Sequence, residues 1–220
     1  METFYSEVRE MGQIRLPPPH GIRVLMMPFL LEDIEHSLPD FLMEWKETLK
    51  ILAAGSMLSD GTAYLTIDER QVGVGQHHRR PGLHVDGWTE EGVPGSWGGG
   101  GWGRRGWITV SSHRGCIAWA QQFQGTPRAY GEVEHLREQC KAEYRVILKA
   151  YHVYKMSDLA VHETVAQERK VQRQFIRLSL PSQAGWPISC TPNPRGIKPT
   201  GPLFPPRLRE FTGYQPSWQT

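Results

Sequence analysis

The sequence predicts a mainly β fold, an all-β barrel or double-sheet jelly roll with helical support. Two features carry that expectation. From about residue 62 onward, short runs rich in β-branched and aromatic residues recur between Gly, Pro and Asn punctuation. Before that point, one segment repeats its apolar residues at helical spacing.

In chain order, residues 1–20 end in Pro17-Pro18-Pro19 and read as an extended lead-in. Gly21 to Met27 is a first strand. A helix follows, with Ser37 as its cap, Pro39 in its first turn and Gly55 at its end. Its stripe of Leu38, Phe41, Leu42, Trp45, Leu49 and Leu52 is expected to pack on the outside of a sheet. Strands are then expected at 63–67, 83–86, 107–111 and 116–120. A helical interruption at 131–140 carries Val133, Leu136 and Cys140 on one face. Strands resume at 150–155, 159–163 and 174–180. The organisation expected is an N-terminal extension (1–61), a β core (62–182) and an irregular Pro-rich C-terminal strap or tail (183–220), with no internal repeat.

At 220 residues the chain fits one decorated domain, and a formal net charge of +2 gives no general reason to expect nucleic acid or a membrane surface. Three cysteines, Cys116, Cys140 and Cys190, are too few and too scattered for a disulfide framework or a paired-cysteine metal site. The acidic N-terminus has no signal-type apolar core, and no stretch reaches the length of a membrane span. The expectation is a soluble, intracellular protein.

The chemistry-bearing run is His84-Val85-Asp86. On a strand, alternate side chains share a face, so one short element presents an imidazole and a carboxylate together. A second histidine would complete a two-histidine, one-carboxylate metal set with open positions. Nine histidines compete for that place. His162 is preferred because a strand there puts Asp158, Ala160 and His162 on one face and Leu159 and Val161 on the other. His113 and His152 are rivals, whereas His77 and His78 read as solvent-exposed loop residues.

Further on, Arg173, Phe175, Arg177 and Ser179 alternate onto one face. An arginine facing into a barrel needs an anion, and Arg177 with Ser179 makes a fork for a small carboxylate. The plainer alternative pairs Arg177 with Glu163 or Asp158.

Taken in order, His84-Val85-Asp86, His162 and Arg177-Leu178-Ser179 resemble the pattern of the 2-oxoglutarate/Fe(II)-dependent oxygenases, over about residues 62–182. The resemblance implies a double-stranded β-helix, with iron held by His84, Asp86 and His162. It implies 2-oxoglutarate as cosubstrate, its distal carboxylate on Arg177 and Ser179. It also implies molecular oxygen as co-reactant, and hydroxylation of a substrate with release of succinate and CO2. The chain departs from the family pattern in two places. The gap from His162 to Arg177 is longer than usual, which makes Arg173 a rival for the carboxylate, and the glycine-rich segment after Asp86 is unusually long and rich in tryptophan.

That segment places Trp88, Trp102, Arg104 and Arg105 as substrate-binding candidates, either on a lid or stacking on nucleobases with the arginines on phosphates. Two other functions stay open. One is a cupin-like metalloprotein that does not use 2-oxoglutarate. The other is a non-catalytic module that binds a protein or single strand through the Gly/Trp/Arg loop.

Overall fold

A computed structural model of the chain describes residues 2–87, 106–128, 131–181, 186–187, 190–201 and 203–204. It is mainly β, with strands in antiparallel sheets and few helices. The larger sheet has six strands in the order β2 (Val8–Gln13), β9 (His152–Met156), β5 (Trp107–Ser111), β11 (Val171–Ser179), β4 (Thr62–Val72) and β3 (Arg23–Leu30). A smaller sheet holds β10 (Val161–Thr164), β6 (Cys116–Trp119) and β8 (Arg145–Ile147). β1 (Thr3–Tyr5) pairs with β7 (Gln122–Gln124), and the two-residue strands β12 (Trp186–Pro187) and β13 (Leu203–Phe204) pair in parallel. Residues before 62 therefore supply both edge strands of the larger sheet, β2 and β3.

Strand alternation divides the larger sheet into two unlike faces. Along β11, Ile176 and Leu178 lie opposite Ile67 and Leu65 of β4. All four join a core with Leu38, Leu42, Trp45, Leu49 and Leu52 from the helical segment. The intervening positions, Arg173, Phe175, Arg177 and Ser179, lie opposite Arg70, Asp68, Thr66 and Tyr64. This polar face looks toward the smaller sheet. Trp107, Tyr154 and Met156 of the larger sheet meet Ala118 and Ala160 in an apolar cluster that joins the two layers.

The helical segment is broken rather than continuous. α1 (Ile34–Ser37) is capped by Asp33, whose side chain accepts from the His36 amide. A 3-10 turn (Asp40–Trp45) follows, then α2 (Lys46–Ser56). Ser37 thus closes α1 instead of capping the main helix, and its Oγ accepts from the Leu30 amide at 3.0 Å. Gly55 lies inside α2, which ends at Met57 in the left-handed conformation (φ 62°). The tighter 3-10 winding rotates Phe41 out of the stripe, leaving it 52% exposed, while Leu38, Leu42, Trp45, Leu49 and Leu52 are fully buried.

The expected strands at 63–67, 107–111, 116–120 and 150–155 appear as β4, β5, β6 and β9 with small shifts at their ends. The helix expected at 131–140 is a short 3-10 turn, Glu134–Gln139. Leu49→Ala is expected to cost about 2–5 kcal/mol in a urea unfolding experiment, the range for deleting a packed leucine under a sheet.

Candidate metal centre

The strand expected at 83–86 is, in the structure, only a pair of bridges at His84. Residues 83–87 are nevertheless held extended from two sides. The amide of His84 donates to the His162 carbonyl at 2.9 Å, and that of His162 returns to the His84 carbonyl at 3.0 Å. Val85 donates to the Gly131 carbonyl and Gly87 to that of Asp158, both at 2.8 Å. Alternation survives: Leu83 and Val85 enter an apolar cluster with Trp119, Phe123, Val133, Leu136 and Val161. His84 and Asp86 turn the other way, into the space between the sheets.

His84, Asp86 and His162 converge there, each offering a ligand atom within 4.8 Å of the others. His84 Nε2 lies 3.9 Å from Asp86 Oδ1, and His162 Nε2 lies 3.9 Å from Asp86 Oδ2. Donors about 2.1 Å from one ion sit at most roughly 4.2 Å apart, so these separations suit a shared metal. The tautomers suit it too. His84 Nδ1 is 2.7 Å from the Gly82 carbonyl and His162 Nδ1 is 2.8 Å from the Ala160 carbonyl. A carbonyl can only accept, so each Nδ1 carries the hydrogen and each Nε2 keeps its lone pair.

Burial depresses the pKa of His84 and of His162, which favours the neutral, ligating imidazole. For Asp86, burial opposes the charge, but Arg177 above all, then the two histidines and Arg80, hold its pKa well below the usual carboxylate range. The donor set is two neutral nitrogens and one carboxylate, which fits a divalent transition metal.

Arg177 is buried on the polar face of β11, as its alternation predicts. Its Nη1 donates to Asp86 Oδ2 at 2.6 Å. It does not pair with Glu163, which is bonded to Arg137 at 2.7 Å. Its Nη2 faces the sulfur of Met26 at 3.5 Å, and Ser179 Oγ meets the same sulfur at 3.8 Å. The thioether therefore stands over the Arg177–Ser179 fork. The rivals are engaged elsewhere, His113 with Ser112 and His152 with Glu10.

A second polar cluster lies farther along β11. Arg173 is only 2% exposed; its Nε donates to Ser111 Oγ at 2.9 Å, and its buried Nη1 has no hydrogen-bond partner. Its guanidinium rests on Gly115, where any Cβ would overlap it. Nearby, Asp68 Oδ2 is 3.2 Å from Arg79 Nη1 and 3.3 Å from His78 Nε2, and Arg70 bonds the His78 carbonyl. Arg79 lies over the ring of Phe175 at 5.0 Å. Arg23, Arg70 and Arg79 thus pair with one carboxylate at 3.2–3.7 Å, and Arg173 adds a fourth cation to the cluster.

Here the expectation for His78 is corrected: it is fully buried, not exposed, because the loop carrying it folds between the layers onto Phe175 and Asp68. His77 is half-buried and bonded to Thr164. Asp68, Arg70 and His78 were not among the residues picked out from the sequence. The available signal was Thr66-x-Asp68-x-Arg70, an alternation of polar residues inside a buried strand.

Trp88, Trp102, Arg104 and Arg105 lie outside the described residues. Cys116, Cys140 and Cys190 are unpaired. Among the described residues, no helix is long and apolar enough to cross a membrane. Comparison of the chain with protein-family models, with curated proteins and with solved structures found no match.

Two outcomes follow from this geometry. Arg177→Met leaves a buried carboxylate without its counter-charge, so the metal-free protein is expected to lose about 3–5 kcal/mol of stability in urea unfolding. Its Co(II) affinity should fall about tenfold, as Asp86 loses the bond that orients it. The second concerns pH. Burial pushes the pKa of His78 down to about 4, with Asp68 opposing and Arg173 and Arg70 reinforcing the shift. Its folded pKa is below its unfolded one, so the unfolded chain binds the proton first and stability falls as pH drops from about 6.5 to 4, by on the order of 3 kcal/mol. His78→Gln should flatten that part of the stability profile measured by chemical denaturation.

Proposed function

We propose that the protein is a 2-oxoglutarate- and Fe(II)-dependent oxygenase whose metal is held by His84, Asp86 and His162. The observation that carries this reading is the buried donor set, in which two tautomer-fixed imidazoles and one ionised carboxylate share a single pocket. Two facing antiparallel sheets with helices on the outer face support reading the fold as a double-stranded β-helix. When bound, iron with 2-oxoglutarate and oxygen supplies a two-electron oxidation of the substrate, with release of succinate and CO2.

The chain's own residues divide the remaining work. His84 and His162 stay neutral and keep their rings fixed by Gly82 and Ala160. Arg177 holds Asp86 ionised and fixes the orientation of its carboxylate. The distal carboxylate of 2-oxoglutarate is assigned to Arg173 rather than to Arg177 and Ser179. Arg173 offers a buried N–H with no partner and a hydroxyl neighbour in Ser111, with its guanidinium seated on Gly115, where a side chain would displace it. The cationic surplus of Arg23, Arg70, Arg79 and Arg173 around Asp68 favours an anion at that end of β11. Burial lowers the Arg173 pKa to about 10, which leaves the guanidinium charged at neutral pH.

The test is succinate formation from 2-oxoglutarate with added Fe(II). His84→Ala and Asp86→Ala are expected to abolish it. Arg173→Gln removes a charge-assisted bond of about 2–3 kcal/mol, so it should raise the KM for 2-oxoglutarate roughly 30–100-fold with little change in metal affinity. A KM effect confined to Arg177→Gln would return the carboxylate to Arg177. Stoichiometric metal binding without turnover of 2-oxoglutarate would leave a cupin-like metalloprotein instead.

A further inference from the structure

We propose that Met26 and the C-terminal strap, residues 190–201, are positioning elements of this centre, acting on it through Arg177. The metal-affinity part of the proposal rests on the metal-binding reading above; the part that concerns Arg177 and Asp86 does not.

β3 breaks its register with β4 between Val24 and Met27. Inside that irregularity Met26 takes a left-handed backbone conformation, φ 46°. An unbranched L-residue adopts it only where the surroundings impose it. Those surroundings are identifiable. The Met26 amide donates to Thr66 Oγ1 at 3.1 Å. The neighbouring Leu25 is bonded from both sides by the strap: its amide donates to Thr191 Oγ1 at 2.9 Å, and its carbonyl accepts from the Thr191 amide at 2.7 Å.

The strap itself is bolted down. Asn193 Nδ2 donates to the carbonyls of Pro28 and Ser37 at 2.7 and 2.8 Å, and the Thr200 amide donates to Tyr64 Oη at 3.0 Å. Asn193, though polar, is only 6% exposed.

The conformation imposed on Met26 points its side chain inward. Its sulfur, in a residue 1% exposed, covers Arg177 Nη2 and Ser179 Oγ. A thioether is a weak acceptor. It blocks that side of the guanidinium without competing for it, and Arg177 Nη1 is left on Asp86 Oδ2. A line of contacts thus runs from Thr191 to Leu25, Met26, Arg177 and Asp86. If Thr191 lets go of Leu25, the Met26 backbone can relax, its sulfur withdraws, and Arg177 is free to turn off the carboxylate.

The experiment uses the full-length, metal-free protein with guanidinium nitrogen NMR, followed by Co(II) titration. In the wild type, Arg177 should be among the arginines that show the slow Nη rotation of a buried ion pair, and the signal that Arg177→Met removes is its signature. Thr191→Val and Met26→Ala should each abolish the signature and weaken Co(II) binding about tenfold, as Arg177→Met does. Thr191→Ser, which keeps the hydroxyl, should restore both. In the Arg177→Met background, Thr191→Val should add nothing. If Met26→Ala fails to fold, Met26→Gln keeps the length but sets a strong amide acceptor beside Arg177 Nη2 in competition with Asp86, and should show the same loss of signature. An intact guanidinium signature in Thr191→Val together with the folded Met26 variant overturns the proposal, as does additive weakening on top of Arg177→Met. A wild type that binds no Co(II) would defeat the metal reading alone, while the guanidinium signature would still decide whether Met26 and the strap position Arg177.

Discussion

A carboxylate withdrawn from water must be balanced, and in this protein the balance of Asp86 falls on Arg177. The two come from different layers. Asp86 belongs to the irregular segment that edges the smaller sheet, and Arg177 stands on a central strand of the larger one. Their 2.6 Å contact bridges the layers at the place where both imidazoles converge. Neither charge would be tolerable there alone, since removing one partner of a buried pair costs far more than the pair itself contributes. The same contact keeps Asp86 ionised and therefore able to bind a metal.

That arrangement depends on β11 being a strand with two different faces. Ile176 and Leu178 anchor it to the helical layer, which forces Arg173, Arg177 and Ser179 into the space between the sheets. Apolar packing on one side thus supplies the free energy that holds cations on the other. The result is a buried row of anions and cations in a defined order along one strand: the Asp86 pair at one end, the arginine cluster around Asp68 at the other.

Much of this was legible in the sequence because it rests on periodicity. The alternation of β11, the stripe from Leu38 to Leu52 apart from Phe41, and the pairing of His84 with Asp86 on one face are all local patterns that appear in the structure. His162 was legible for the same reason. What could not be read is what depends on contacts remote in the chain. β2 carries Arg9, Glu10 and Gly12 and has no strand-like run; its place at the sheet edge comes from pairing with β9. The acids that the sequence offers Arg177 nearby are Glu163 and Asp158, whereas its partner is a residue ninety-one positions earlier. His78 looked like a loop residue because its burial comes from Asp68 and Phe175, neither adjacent in sequence. Met26 sits in a run that reads as ordinary strand, and nothing local announces its left-handed backbone.

Gly87 and Gly106 share an arrangement of a different kind. Both are pressed against one short stretch, Met156–Asp158, so closely that a Cβ on either would overlap it. The two glycines are therefore neighbouring fixed points on the domain, each held where no side chain could stand. Loop closure between two fixed, neighbouring points grows only with the logarithm of the intervening length. Ring closure alone thus sets little thermodynamic limit on how many residues the chain may place between those glycines, whereas the glycines themselves are fixed by the backbone they press against.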